Sequence, residues 1–177
     1  MKLMVIIDMQ NDFLTGTLGN PGTQAVLAPV CLRIKNALES GVELLCTMDT
    51  HGEDYMETTE GRKLPVPHCI KGTKGWELPD ELKDALGGLV PERQIEKGTF
   101  GAKNLPEKVI EVCRGVPDEI ELIGVCTDIC VISNALLLKT FFPECEITVN
   151  AGCCAGTSPE AHDRAIEAMK MCQINII

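Results

Sequence analysis

The 177 residues carry 26 acidic against 16 basic side chains, a net charge of −10, which argues against a nucleic-acid backbone or an anionic membrane surface as partner, since either needs clustered Lys and Arg. The length suits one domain over residues 1–177, and no apolar run reaches membrane-spanning or secretory-leader length, so a cytoplasmic protein acting on a small molecule is expected. Ten cysteines without a single CxxC pair, several inside apolar segments (Cys46, Cys113, Cys172), read as reduced core thiols rather than a disulfide framework or zinc ribbon.

Leu3 to Ile7 is a continuous apolar, β-branched run, the pattern of a strand buried on both faces, and it stops at Asp8. A polar, glycine-rich loop follows (Met9 to Gly22), then helical spacing at Val26, Val30, Ile34 and Leu38 up to Gly41. Val42 to Met48 predicts a second strand, again closed by an acid, Asp49. From Thr50 to Pro91 the chain is mostly irregular, with one short helix near Pro79 to Leu86; a loop this long in a compact domain carries function or moves. Gln94 to Glu96 is a weak strand leading into Lys97-Gly98-Thr99-Phe100-Gly101. A helix over Pro106 to Arg114, a strand over Ile120 to Ile123, a helix from Cys130 to Pro143 and a strand over Glu146 to Val149 come next. A last helix, Ser158 to Met171, opens with proline at its first position, and Ile174 to Ile177 adds a short strand.

Strands alternating with helices predict an α/β fold: a three-layer, Rossmann-like arrangement with a mainly parallel sheet and helices on both faces. Ligands bind at the carboxyl ends of the strands in such sheets, and Asp8, Asp49, Lys97 and the segment Cys126 to Cys130 all fall there. Cys130 lies within the first turn of its predicted helix, which Thr127 or Asp128 would cap. Unpaired backbone N–H groups and the positive end of the helix dipole there would favour thiolate over thiol. With Cys130 as nucleophile, Asp8 as the base and Lys97 as the cation that holds it, the strand ends supply a set suited to acyl transfer.

Three blocks carry a family resemblance: Ile6 to Phe13, Glu96 to Gly101 and Gly124 to Val131. In order and content they resemble the isochorismatase-like cysteine hydrolases, which include the nicotinamidases. The resemblance implies an Asp8-Lys97-Cys130 triad and a cis peptide between Val125 and Cys126, with the backbone N–H groups of Cys126 and Cys130 as an oxyanion hole. Asp49-Thr50-His51 and the later His68 form a set able to hold a divalent zinc, manganese or iron ion, and nicotinamidases carry a metal site of this pattern. Zinc is the expected ion, and Glu60 the expected fourth ligand, with Glu57 and Glu53 as rivals. Phe13, Phe100 and Val125, with Trp76 as a further candidate, are expected at the substrate, while His162 is expected on the surface of the last helix.

The implied activity is cysteine-dependent hydrolysis of a small carboxamide, nicotinamide to nicotinate and ammonia, through a thioester. The alternative is a hydrolase of an N-carbamoyl or ureido compound using the same triad without a metal. A non-catalytic scaffold and a thiol-redox protein are the readings outside that class. Members of the family often assemble as homo-oligomers, but no interface is legible here.

Overall fold

The computed structural model describes residues 1–177. In chain order, β1 (Lys2–Ile7) is followed by the short helices α1 (Asn11–Leu14) and α2 (Pro21–Ala25), by α3 (Leu27–Glu39) and by β2 (Glu43–Asp49). The segment that follows contains a 3-10 turn at Tyr55–Glu57, α4 (Thr59–Lys63) and α5 (Asp80–Ala85), then β3 (Gln94–Lys97). The second half runs α6 (Leu105–Cys113), β4 (Glu119–Val125), a π-helical turn (Thr127–Val131), α7 (Ile132–Phe141), β5 (Glu146–Ala155), α8 (Pro159–Met171) and β6 (Asn175–Ile176). All five strand pairings are parallel, in the order β3-β2-β1-β4-β5-β6. The chain builds outward from β1 to β3, then returns to place β4 on the other side of β1. The sheet therefore has its topological switch point between β1 and β4, where a doubly wound fold opens a crevice.

Both faces of the sheet are covered, as the continuous apolar runs demand. Leu3, Val5 and Ile7 of β1 face a core shared with α6, α7 and α8, through residues such as Val109, Leu138 and Met169. Met4 and Ile6 face the opposite core with Val30 and Ile34 of α3 and Leu82 of α5. Near the end of β4, Gly124 has a φ of +119° and approaches Ile7 too closely for a side chain: a Cβ there would lie 2.2 Å from the Ile7 carbonyl oxygen.

Several element boundaries differ from the sequence reading, each for a physical reason. The stretch before Val26, read as the end of a polar loop, holds a helix of its own, α2, because Asn20 caps it through its side chain and Pro21 starts it. Ala37 rather than Leu38 completes the buried stripe of α3, and Leu38 is exposed. β5 continues past Val149 to Ala155 because two steps of β4 (Leu122 to Gly124) span five of β5 (Val149 to Cys154). That bulge breaks the alternation a sequence pattern relies on. Thr50 to Pro91 is folded back rather than free: the Asp12 carboxylate accepts from Cys69 N–H at 2.8 Å, and His51 N–H donates to the Cys69 carbonyl at 3.0 Å.

Candidate active site

At the carboxyl ends of β1, β2, β3 and β4 the structure brings Asp8, Asp49, Lys97 and Cys130 together. Lys97 Nζ lies 2.7 Å from Asp8 Oδ2, 3.2 Å from Asp49 Oδ1 and 3.5 Å from Cys130 Sγ. All four residues are buried. Asp8 has a left-handed backbone, φ +48°, a conformation that aspartate tolerates better than most residues. Its Oδ1 accepts from Thr47 Oγ1 at 2.6 Å. Oδ2 meets the Lys97 ammonium as an ion pair.

The electrostatics overturn the expectation of a resting thiolate. Burial pushes the Cys130 thiol well above its ordinary value, the negative charge of Asp8 adds to this, and Lys97 only partly opposes it. Burial likewise raises the Asp8 carboxyl against the pull of Lys97. Burial would lower the Lys97 ammonium, but the charges of Asp8, Cys130 and Asp49 raise it instead. The helix-dipole argument omitted both the loss of solvent and the neighbouring carboxylate. The resulting arrangement is a thiol beside a carboxylate of enhanced basicity, with an ammonium that keeps its proton throughout.

Val125–Cys126 is the cis peptide that the resemblance implied. The turn after it is built differently from the expectation: it starts at Thr127 in π-helical geometry rather than at Cys130. Neither Thr127 nor Asp128 caps it. Thr127 Oγ1 lies 2.8 Å from His162 Nδ1, and the Asp128 carboxylate accepts from Thr157 N–H and Oγ1 at 2.8 and 2.6 Å. His162, expected at the surface, is thus half-buried and engaged. The Cys126 carbonyl accepts from Ile129 and Val131 N–H groups, both at 3.1 Å, which turns the carbonyl into the helical end of the turn.

Beside this set, His51 Nε2 and His68 Nε2 lie 3.0 and 3.3 Å from Asp49 Oδ2. The donor atoms of Asp49, His51 and His68 all fall within 4.8 Å of one another. His68 Nδ1 lies 2.8 Å from the Val66 carbonyl; donation to that acceptor orients the ring so that Nε2 faces Asp49. Burial alone would raise the Asp49 carboxyl, but hydrogen bonds from His51 and His68 and the charge of Lys97 hold it below the usual carboxylate range. Two convergent imidazoles and an ionised carboxylate are a donor set that fits a divalent ion. Glu60 Oε1 stands 3.9 and 3.8 Å from the two Nε2 atoms, whereas Glu53 and Glu57 are exposed elsewhere. Asp49 therefore joins both clusters, Oδ1 to the lysine and Oδ2 to the histidines.

A cavity of about 40 Å³ lies over Cys126 and Cys130, walled by Phe13, Phe100, Leu64, Ile129 and the Asp49–His68 side. It adjoins a cleft of about 500 Å³ through the shared residues Glu60, Leu64, Phe100 and Ile129. Phe13 and Phe100 are thus at the site, whereas Val125 is fully buried and outside the cavity lining. Trp76 also stands outside the lining, with its indole N–H bonded to Thr50 Oγ1 at 2.9 Å.

Two residues that the sequence reading did not single out complete the scaffold. Thr47, paired with Ile7 in the sheet, holds Asp8 from the neighbouring strand. Gln10 is fully buried and brackets the Asp49 backbone, donating to its carbonyl at 2.8 Å and accepting from its N–H at 2.7 Å. Its place between Asp8 and Phe13 in the first motif block was the available signal.

Comparison with known proteins bears on this geometry. An isochorismatase domain model matches residues 2–177. An isochorismatase family protein of Bacillus subtilis is 32% identical over 149 residues, 76% of each chain. The structure superposes on a pyrazinamidase/nicotinamidase of Streptococcus mutans with a TM-score of 0.86 at 28% identity, covering all of both chains. It also superposes on the pyrazinamidase of Pyrococcus horikoshii in complex with zinc with a TM-score of 0.78 at 25% identity, covering 99% of this chain and 98% of that one.

Proposed function

The chain belongs to the isochorismatase domain family, and from that premise we propose that it is a cytoplasmic, cysteine-dependent amidohydrolase whose substrate is nicotinamide or a close aromatic carboxamide. The observation that carries the reading is the convergence of Asp8, Lys97 and Cys130, with Lys97 Nζ 2.7 Å from the carboxylate and 3.5 Å from the sulfur. The nicotinamidase relatives support the choice of substrate.

In this reading Asp8 takes the Cys130 proton as the sulfur attacks the amide carbonyl. The raised basicity of Asp8 suits it to that task, and Lys97 neutralises whichever anion, carboxylate or thiolate, is present. The developing oxyanion is received by the Cys126 and Cys130 N–H groups. Asp8 then gives the proton to the departing ammonia, leaving a thioester on Cys130. It next accepts a proton from the water that hydrolyses the thioester, which releases the acid and restores the thiol.

The small inner cavity admits the carboxamide end, and the ring extends between Phe13, Phe100 and Ile129 toward the wider cleft. Asp49, His51 and His68, joined by Glu60, would hold a divalent ion, zinc in our reading, which when bound supplies a Lewis-acid anchor for a pyridine nitrogen and for ordered water.

The reading is tested by acid-quenching the protein during turnover of nicotinamide and mapping adducts by mass spectrometry. A nicotinoyl group on the Cys130 peptide, absent from Asp8→Asn protein, is expected. A carbamoyl adduct formed only from ureido compounds would replace this substrate with the N-carbamoyl class.

A further inference from the structure

The turn that carries Cys130 is held from outside the site. Thr127, its first residue, is fully buried, and its only side-chain partner is His162 Nδ1 at 2.8 Å, on the first turn of α8. The next residue, Asp128, grips Thr157 in the loop before α8 through two hydrogen bonds. Between these two attachments the approach is so close that a Cβ on Gly156 would lie 2.8 Å from both Asp128 Oδ1 and His162 N. His162 is itself seated by its N–H bond to the Ser158 carbonyl at 2.9 Å, and Ser158 caps α8 through its hydroxyl. Its ring also borders a cavity of about 450 Å³ separate from the substrate cavity, so it touches neither the nucleophile nor the substrate pocket.

We propose that His162 is a positioning residue for the reaction: through Thr127 it sets where the π-helical turn places the Cys126 N–H and the Cys130 sulfur relative to Asp8 and Lys97. A π-helical turn has wider hydrogen-bonded rings than an α-helix and is uncommon outside functional sites, so an external tether on its first residue determines its geometry. The Thr127 hydroxyl would otherwise be an unpaired buried polar group. Misplacing a nucleophile or oxyanion donor by a fraction of an ångström penalises the transition state more than substrate binding. The signature is therefore a loss in kcat with KM little changed.

This inference rests on Cys130 being the nucleophile, and the test keeps the two claims apart by reading Cys130 alkylation by iodoacetamide, peptide by peptide, beside nicotinamide turnover. Asparagine presents a polar atom at the position of Nδ1, whereas glutamine reaches only the position of Nε2. His162→Ala and His162→Gln are expected to lose roughly ten- to hundredfold in kcat, with KM changed less than about threefold, and to alkylate Cys130 more slowly. His162→Asn recovers most of both. Thr127→Ser behaves as wild type, Thr127→Val behaves as His162→Ala, and the double variant His162→Ala/Thr127→Val is no worse than either single change.

Rates are normalised to folded protein by near-UV circular dichroism. If His162→Ala does not fold, the contrast between the Asn and Gln variants decides. Wild-type kcat and alkylation in folded His162→Ala, equal losses in the Asn and Gln variants, or additive losses in the double variant would each overturn the proposal. If wild-type protein does not hydrolyse nicotinamide, the substrate reading fails, and the alkylation series still decides the role of His162.

Discussion

Thr47→Val removes one hydroxyl from a fully buried carboxylate and leaves the shape of the strand unchanged. Thr47 Oγ1 donates to Asp8 Oδ1 at 2.6 Å, and neither residue is exposed. A hydrogen bond to a charged group contributes about 1.5–3 kcal/mol, and one pH unit corresponds to about 1.4 kcal/mol. The hydroxyl can turn and accept from the protonated acid, so only part of that energy distinguishes the two forms, and a shift of about one unit follows. Its sign is fixed: Thr47 lowers the Asp8 carboxyl against the raising effect of burial, so its loss raises that carboxyl further. Asp8 must be ionised to accept the thiol proton, and the acid limb of kcat/KM therefore moves to higher pH.

The same change acts on stability. A carboxyl whose folded value is raised contributes most below its unfolded value, about 3.9, and that contribution is lost as pH rises through the folded value. Thr47→Val therefore destabilises by about 1–3 kcal/mol at neutral pH and by less in acid. The assay is a pH–rate profile for nicotinamide with urea melts at neutral and acidic pH. An acid limb that stays in place or moves down, or a stability loss equal at both pH values, would refute the electrostatic account.

Lys97→Met strands Asp8 and Asp49 as buried carboxylates without their shared cation. It is expected to cost about 3–5 kcal/mol of stability and at least about 10²-fold in kcat, read by melting temperature and steady-state rate; a small change in both would contradict the pairing. Gly124→Ala drives a methyl against the Ile7 backbone and should cost about 3 kcal/mol or more, which an unchanged urea midpoint would disprove. Zinc added at about a hundredfold its Kd should stabilise wild-type protein by about 2.7 kcal/mol and His68→Ala protein far less. Equal stabilisation of the two would place the ion elsewhere.

What the sequence made legible was whatever lies within a few residues along the chain. Asp8 and Asp49 were found because each ends an apolar run and Lys97 because it ends a weak strand, and alternating strands and helices place strand ends at one edge of a parallel sheet. Cys130 was found from its strand–helix join. Contacts across strands were invisible to that reasoning. Thr47 reaches Asp8 and Gln10 reaches Asp49 across 39 residues, and nothing local in either side chain announces such a partner.

The same limit explains His162, expected on the surface of the last helix, whereas the fold brings it against Thr127. It also explains the thiol, since a helix terminus is a local feature whereas burial and the Asp8 charge are tertiary ones. Val125, expected at the substrate, is instead fully buried and outside the cavity lining, and burial of this kind is a tertiary feature as well.

The most direct test of the central claim is ammonia release from nicotinamide by purified protein, measured beside Cys130→Ala and a chelator-treated sample. Release by the wild-type protein that is lost without the thiol and reduced on chelation, then restored by added zinc, is the predicted result. No release from folded, zinc-supplemented wild-type protein, or release that persists in Cys130→Ala, would contradict it.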